Sequence, residues 1–225
     1  RRWLTGGADP DGSPSPPTPA RCLMAIREAR GALAQNPDDY VAYRLLVVAY
    51  RNLAQQEAAL ISGIALTPEN RDQIAAIKPG GALMNERIRQ IVTALKYAIE
   101  TTPPVRSREE RMDLIAHRFD LFEAYSQLGF VDLARDELRA VFETARTGDL
   151  NQEARAQYQT TLDQFNEQVG QIEQAMANLQ IERQAGPIEL GQFALNQGAV
   201  GLAITQLEDA DRSNLSPTLV KPQLV

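Results

Sequence analysis

The side chains with obvious chemical reach are few. His117 is the only histidine and Cys22 the only cysteine among the 225 residues, so neither an intramolecular disulfide nor a zinc site built from cysteines can form. No second imidazole or thiol can join His117 around a metal, and its place in a helical stretch reads as solvent-facing. Serine–histidine catalysis meets the same shortage. Ser107 stands where a helix cap belongs, and Ser126 lies beside Tyr125 without the surroundings of a nucleophile elbow. Gly6-Gly7 and Gly80-Gly81 lack the motif contexts that cradle phosphates and read as loop glycines. Asp38-Asp39 and Glu109-Glu110 sit at helix starts, where they complement the macrodipole more simply than they would support acid–base chemistry. Arg106, Arg108 and Arg111 alternate with Glu109, Glu110 and Asp113, the pattern of a solvated helix face with local ion pairs. No catalytic residue, metal or cofactor is expected, and the reading is of a non-enzyme.

Bulk composition narrows the partners. A net charge of -6 and a pI near 5.0 argue against a phosphate-binding surface, so nucleic acid is set aside. With 44% hydrophobic and 23% charged residues the chain is ordinary for a folded protein. No run approaches the roughly 18 apolar residues of a membrane span; the richest, Val41 to Tyr50, is interrupted by Arg44. This portion is therefore expected to be a soluble domain that meets a membrane only indirectly, through a parent protein or complex. The start at Arg1 and the helical-looking pattern that opens at Ser216 and stops at Val225 read as an excerpt of a longer parent.

The elements that position these residues are helices. Pro10, Pro14, Pro16, Pro17 and Pro19 favour extended backbone, which makes residues 1–19 an N-terminal linker. Trp3, beside Arg1 and Arg2, is an indole that needs a groove to bury it, so a docking tail is one reading and a packed terminus the other. From Ala20 apolar residues recur at helical spacing, predicting helices near 20–35, 39–54, 56–65, 69–77, 84–101, 108–128, 131–146, 150–184, 187–197 and 199–212. Ser107 with Glu110 and Asp149 with Gln152 are placed as capping boxes, and Gly186-Pro187 ends one helix and opens the next.

Spacing then carries the resemblance. Ala25, Ala29, Ala32 and Pro37 offer small residues and a closing proline; Tyr43, Leu46 and Tyr50 offer large residues, followed by Ala59 at a small position. Leu121, Tyr125, Gly129, Ala134 and Leu138 repeat the arrangement, and Leu190, Ala194, Gly198, Ala203, Leu207 and Ala210 repeat it again. A period near 34 residues with these types resembles the tetratricopeptide repeat, in degenerate form. The resemblance covers about two-thirds of the chain. No Trp stands at the usual first-helix position, Gly148-Asp149 replaces a closing proline after Arg146, and the register slips between Ile61 and Ile88. It implies an all-α solenoid of antiparallel helix hairpins over 20–225, whose first helices line a concave face.

One element departs from that frame. Tyr158, Leu162, Phe165, Val169, Ile172, Met176 and Leu179 alternate by four and three, the heptad seam of a coiled-coil-like helix over about 150–184. The residues between them are nearly all polar, many of them glutamine, so pairing specificity would be weak. Either the helix lies against hairpins of its own chain, or the seam joins two copies into a homo-oligomer.

Carried over position by position, the family's concave face falls on Arg44, Val48, Arg51 and Asn52, on Phe119, Glu123, Ser126 and Gln127, and on Ile188, Gln192, Leu195 and Asn196. Burial against adjacent hairpins is the other reading of the apolar members. Some family members grip a peptide's terminal carboxylate with a fixed Lys, Asn and Arg set; this chain does not reproduce it. The expected role is a scaffold that holds a peptide or subunit in a larger assembly. The alternative is an architectural domain of a membrane-tethered or enzymatic protein whose chemistry lies outside this segment.

Overall fold

The computed structural model describes residues 18–62, 67, 70–77 and 81–212. Trp3, nearly all of the proline-rich segment and the pattern from Ser216 lie outside the described residues. Among those described there are nine helices and no strand: α1 Pro19–Gln35, α2 Tyr40–Ser62, α3 Arg71–Ile77, α4 Ala82–Glu100, α5 Arg108–Leu128, α6 Val131–Thr144, α7 Gln152–Arg183, α8 Pro187–Asn196 and α9 Val200–Arg212. The chain divides into two compact units, 1–124 and 125–225, with the boundary inside α5.

Local chemistry explains most of the ends. Pro19 opens α1 behind Thr18, whose hydroxyl accepts from the Arg21 amide. Asp39 Oδ1 accepts from the Ala42 N–H at 3.1 Å and starts α2. At α5 the capping box forms: Ser107 Oγ accepts from the Glu110 N–H at 3.1 Å, and Glu110 Oε2 accepts from the Ser107 N–H at 2.9 Å. These backbone donors, first Arg106 and then Ser107, hold the Glu110 carboxyl below its ordinary 4.5. The second expected box does not form. Asn151 caps α7 by accepting from the Ala154 N–H at 2.7 Å, while Asp149 turns back to the Arg146 N–H at 2.9 Å. Asn151 wins because it stands one residue before the helix, where its short amide reaches the third helical N–H.

A second correction concerns α2. The sequence reading divides 39–65 into two helices, yet Tyr40–Ser62 is continuous. No Gly or Pro interrupts Arg51 to Ser62, and Ala, Leu, Gln and Glu dominate, so nothing ends the helix. Ala59 is therefore not the small residue of a second helix; it sits exposed on the same one.

In the first unit α1 and α4 both pack against α2. Cys22, Ala25, Ile26 and Ala29 of α1, Ala42, Leu46, Ala49 and Leu53 of α2, and Ile91, Ala94, Leu95 and Ala98 of α4 are all buried. The alanines let the backbones approach, and the larger side chains fill the remaining space. Burial pushes the Cys22 thiol up, so it behaves as a small hydrophobe.

In the second unit α8 packs against α9, and both α6 and α8 contact α7. Ile172 and Met176 of α7 share a cluster with Leu190, Ala194, Ala199 and Ala203. Two glycine turns carry the junction between α6 and α9. Gly129 and Gly198 both adopt left-handed φ, 74° and 77°, and the Val131 N–H donates to the Gly198 carbonyl at 3.0 Å. A Cβ on Gly198 would overlap the Gly129 carbonyl oxygen, so only glycine fits there. Beside these turns Asp132, 2% exposed, accepts at 2.8 Å from the Leu202 N–H in the first turn of α9. Position 199, before α9, is an alanine without a capping oxygen, so α6 supplies the cap. Gly201 leaves the room: a Cβ there would lie 3.0 Å from Asp132 Oδ2.

Candidate functional site

Two faces of the first unit gather the charged and aromatic side chains. On the first, α2 meets α5 through Arg44–Asp113 at 3.0 Å and Arg51–Asp120 at 2.6 Å. The two pairs are two turns apart on each helix and advance in the same sense, which makes the helices parallel along this face. Arg44 also stands over the Tyr40 ring, 5.4 Å from its centroid. Val48, 45% exposed, lies between the two arginines, and Asn52 is half-buried beside them. Arg44, Val48, Arg51 and Asn52, the candidates on this helix, thus lie along one face of α2, where Arg44 and Arg51 are matched by aspartates of the same chain.

His117 corrects an expectation here. It is 8% exposed and meets the Tyr40 ring edge-on at 6.3 Å, rather than facing solvent. Its Nδ1 is buried without a hydrogen-bond partner among the described residues. Burial, reinforced by the Arg44 guanidinium, lowers its pKa below 6.5, while Asp120 and Asp113 pull the other way. A neutral imidazole follows. Periodicity hid this residue, because the large apolar side chains of α5, from Met112 and Ile115 to Phe122 and Tyr125, are spread around the helix and mark no single inward face on which a histidine would stand out.

The second face is a cleft between α1, α2 and α4, with a volume of about 280 Å³. Tyr43 and Tyr97 stack across it, 5.2 Å apart and 15° from parallel, and Arg30 Nη2 donates to Tyr50 Oη at 2.7 Å. Burial first, then Tyr97, Asp38 and Glu100, raise the Tyr43 pKa, so its phenol stays neutral. Leu46 and Ala94 form the apolar lining, and Arg89, Gln90 and Thr93 stand along α4. Nearby, Arg87 grips Glu57 through two bonds of 3.0 and 2.8 Å, tying α4 to α2 and raising the arginine pKa further. By spacing alone Tyr43 and Tyr50 read only as packing residues. The clue available was Arg30, which has no acidic residue three or four positions away on α1; Arg89 has Glu86 one turn before it, and which helix faces which is a tertiary fact.

The remaining candidates spread out. On α5 Phe119 is half-buried and Glu123, Ser126 and Gln127 are exposed. On α8 Gln192 and Asn196 are exposed and bonded to each other at 3.3 Å. Ile188 and Leu195 instead pack against Leu207 and Ala210, so burial is their role. Along α7 Leu162, Val169, Ile172 and Met176 are buried and Tyr158, Phe165 and Leu179 half-buried within the chain, while neighbouring polar positions face outward. The seam therefore packs on its own chain, with α6 and α8 against it; only Ile181, 79% exposed, breaks the polar outer face with a large apolar side chain.

No group of three or more His, Cys, Asp or Glu side chains that could hold a metal occurs among the described residues, and no described helix is long and apolar enough to cross a membrane. No protein-family model, curated protein or solved structure matches this chain.

Proposed function

We propose that the chain is a protein-interaction module: a degenerate tetratricopeptide-like array of antiparallel helix hairpins that holds a peptide or subunit within a larger assembly. The observation that carries this reading is a recurrence of both pattern and burial. Leu121, Tyr125, Ala134 and Leu138 around the Gly129 turn, and Leu190, Ala194, Ala203 and Leu207 around the Gly198 turn, are all buried. The two glycines share a left-handed φ and lie about two periods of roughly 34 residues apart. Small residues at fixed places in one helix and large ones in its neighbour are what stacked hairpins need, since a lone hairpin leaves apolar surface in water. The parallel register of α2 and α5 is further support, because first helices of successive units run parallel in such stacks. Between the two matched hairpins a single helix, α7, takes the length of a whole unit.

Binding rather than catalysis fits what these elements present. The polar side chains of α2, α5 and α8 are either matched by neighbours or dispersed in ones and twos, which suits recognition along a surface. The test is crosslinking of the full chain in its native extract, followed by peptide mapping. Crosslinks from one partner to the exposed positions of α2, α5 or α8, such as Val48, Glu123 and Gln192, are the expected result. Partners that map nowhere on those helices would remove the reading.

A further inference from the structure

Most arginines at the centre of the first unit already have carboxylates: Arg44 with Asp113, Arg51 with Asp120, Arg87 with Glu57. Arg30 of α1 and Arg89 of α4 differ. Both line the tyrosine cleft, and neither guanidinium has a carboxylate within ion-pairing distance among the described residues. Arg30 is held only by Tyr50 Oη. The acidic residue lining the cleft, Glu86, accepts instead from Gln90 Nε2 at 3.2 Å. In a chain of net charge -6, two unmatched cations that share one cleft are where an anion gains most. Long-range attraction of anions to such a protein is weak, so the complement must be local.

The walls narrow the class of anion. The Tyr43–Tyr97 stack and the Leu46 and Ala94 lining offer an apolar surface beside the cations, and Tyr97 is 47% exposed. A guanidinium grips a carboxylate through paired N–H donors, and an aromatic wall covers the chain that carries it. The Tyr50 hydroxyl accepts from Arg30 and keeps its own proton to donate. A volume of about 280 Å³ admits one or two side chains rather than a folded element.

We propose that the cleft between α1, α2 and α4 seats an acidic peptide segment of a protein partner, with a Glu or Asp carboxylate between Arg30 and Arg89 and the adjoining chain against Tyr97. This rests on the interaction-module reading and names the partner's chemistry at one of its surfaces.

The probe is the peptide acetyl-Gly-Glu-Tyr-Asp-Glu-Gly-amide, titrated into the full chain labelled with nitrogen-15, beside its neutral counterpart with Gln and Asn for Glu and Asp. The expected result is saturable shifts at the Gln90 side-chain amide and the Tyr97 backbone for the acidic peptide alone. Affinity should fall about tenfold in Arg89→Glu, an exposed site that circular dichroism will show folded, and further in Arg30→Gln combined with it. Arg183→Glu changes the net charge equally on exposed α7 surface outside the cleft, and should weaken binding by no more than about twofold. Equal binding of the neutral peptide, an Arg183→Glu loss as large as that of Arg89→Glu, or no saturable shift at millimolar peptide would each overturn the proposal. A silent cleft together with partner crosslinks on α5 or α8 would remove this inference and leave the module reading standing.

Discussion

The contact between the two glycine turns of the second unit can be weighed by one methyl group placed at three positions. Gly129→Ala puts a Cβ on a residue at φ 74° with nothing within 4 Å, so its cost is the left-handed backbone alone, about 1–2 kcal/mol. Gly198→Ala carries the same strain at φ 77° and also drives the new Cβ into the Gly129 carbonyl. Backbone must then move, and the Val131 N–H to Gly198 carbonyl bond of 3.0 Å is the first to stretch. Adding about 1 kcal/mol for that bond and a similar amount for displaced packing gives roughly 3–4 kcal/mol in all. Gly170→Ala, at an exposed position inside α7 with nothing within 4 Å, works the other way and should stabilise by about 0.5–1 kcal/mol. Urea unfolding followed by circular dichroism at 222 nm measures all three. If Gly198→Ala and Gly129→Ala cost the same within about 0.5 kcal/mol, the two turns do not press together as described and the account of the α6–α9 junction is wrong.

Other expectations concern single groups. Asp132→Ala leaves the Leu202 N–H buried without its acceptor and should cost about 2 kcal/mol, with Asp132→Asn milder because one amide oxygen remains to accept; hydrogen exchange at Leu202 should quicken in the first variant and little in the second. For His117 the folded pKa lies below 6.5 because burial and Arg44 oppose the charged form. The unfolded chain therefore binds the proton more readily than the native one, so this contribution is complete above about pH 6.5 and is lost as pH falls through the lowered folded value. Stability should drop between about pH 7 and pH 5, and His117→Gln should flatten that part of the profile; an unchanged slope would show the imidazole to be solvated. Arg87→Ala strands the partly buried Glu57 carboxylate, and a lower melting temperature, largely restored in the double variant with Glu57→Gln, is the expected pattern.

Local rules were enough for much of this chain. The capping box at Ser107 and Glu110, the breaks at Pro37, Gly129, Gly186 and Gly198, and the buried alanines Ala25, Ala29, Ala134, Ala194, Ala203 and Ala210 could all be read from residue type and spacing, whereas Ala59 read the same way is exposed. The heptad stripe of α7 was legible too, because a seam of large apolar residues every three or four positions has to be buried somewhere. Failures came where two signals competed within a few residues. Asn151 outranked Asp149 by position, and an uninterrupted run of good helix formers carried α2 past the point where the repeat called for a turn.

Sequence alone determined the helical class, the helix stops marked by Gly or Pro, and the absence of a second histidine or cysteine, since these depend on backbone restraints and residue counts that hold whatever the chain packs against. Tertiary structure decided which charges are matched and which are left open. Asp113 and Asp120 reach Arg44 and Arg51, Asp132 caps a helix distant in the chain, and His117 turns inward against Tyr40, because each of these partners arrives from another helix. The same holds for the cleft that Arg30 and Arg89 both line: the strength of an ion pair or a cap falls off within a few ångströms, and only the folded chain sets distances of that size.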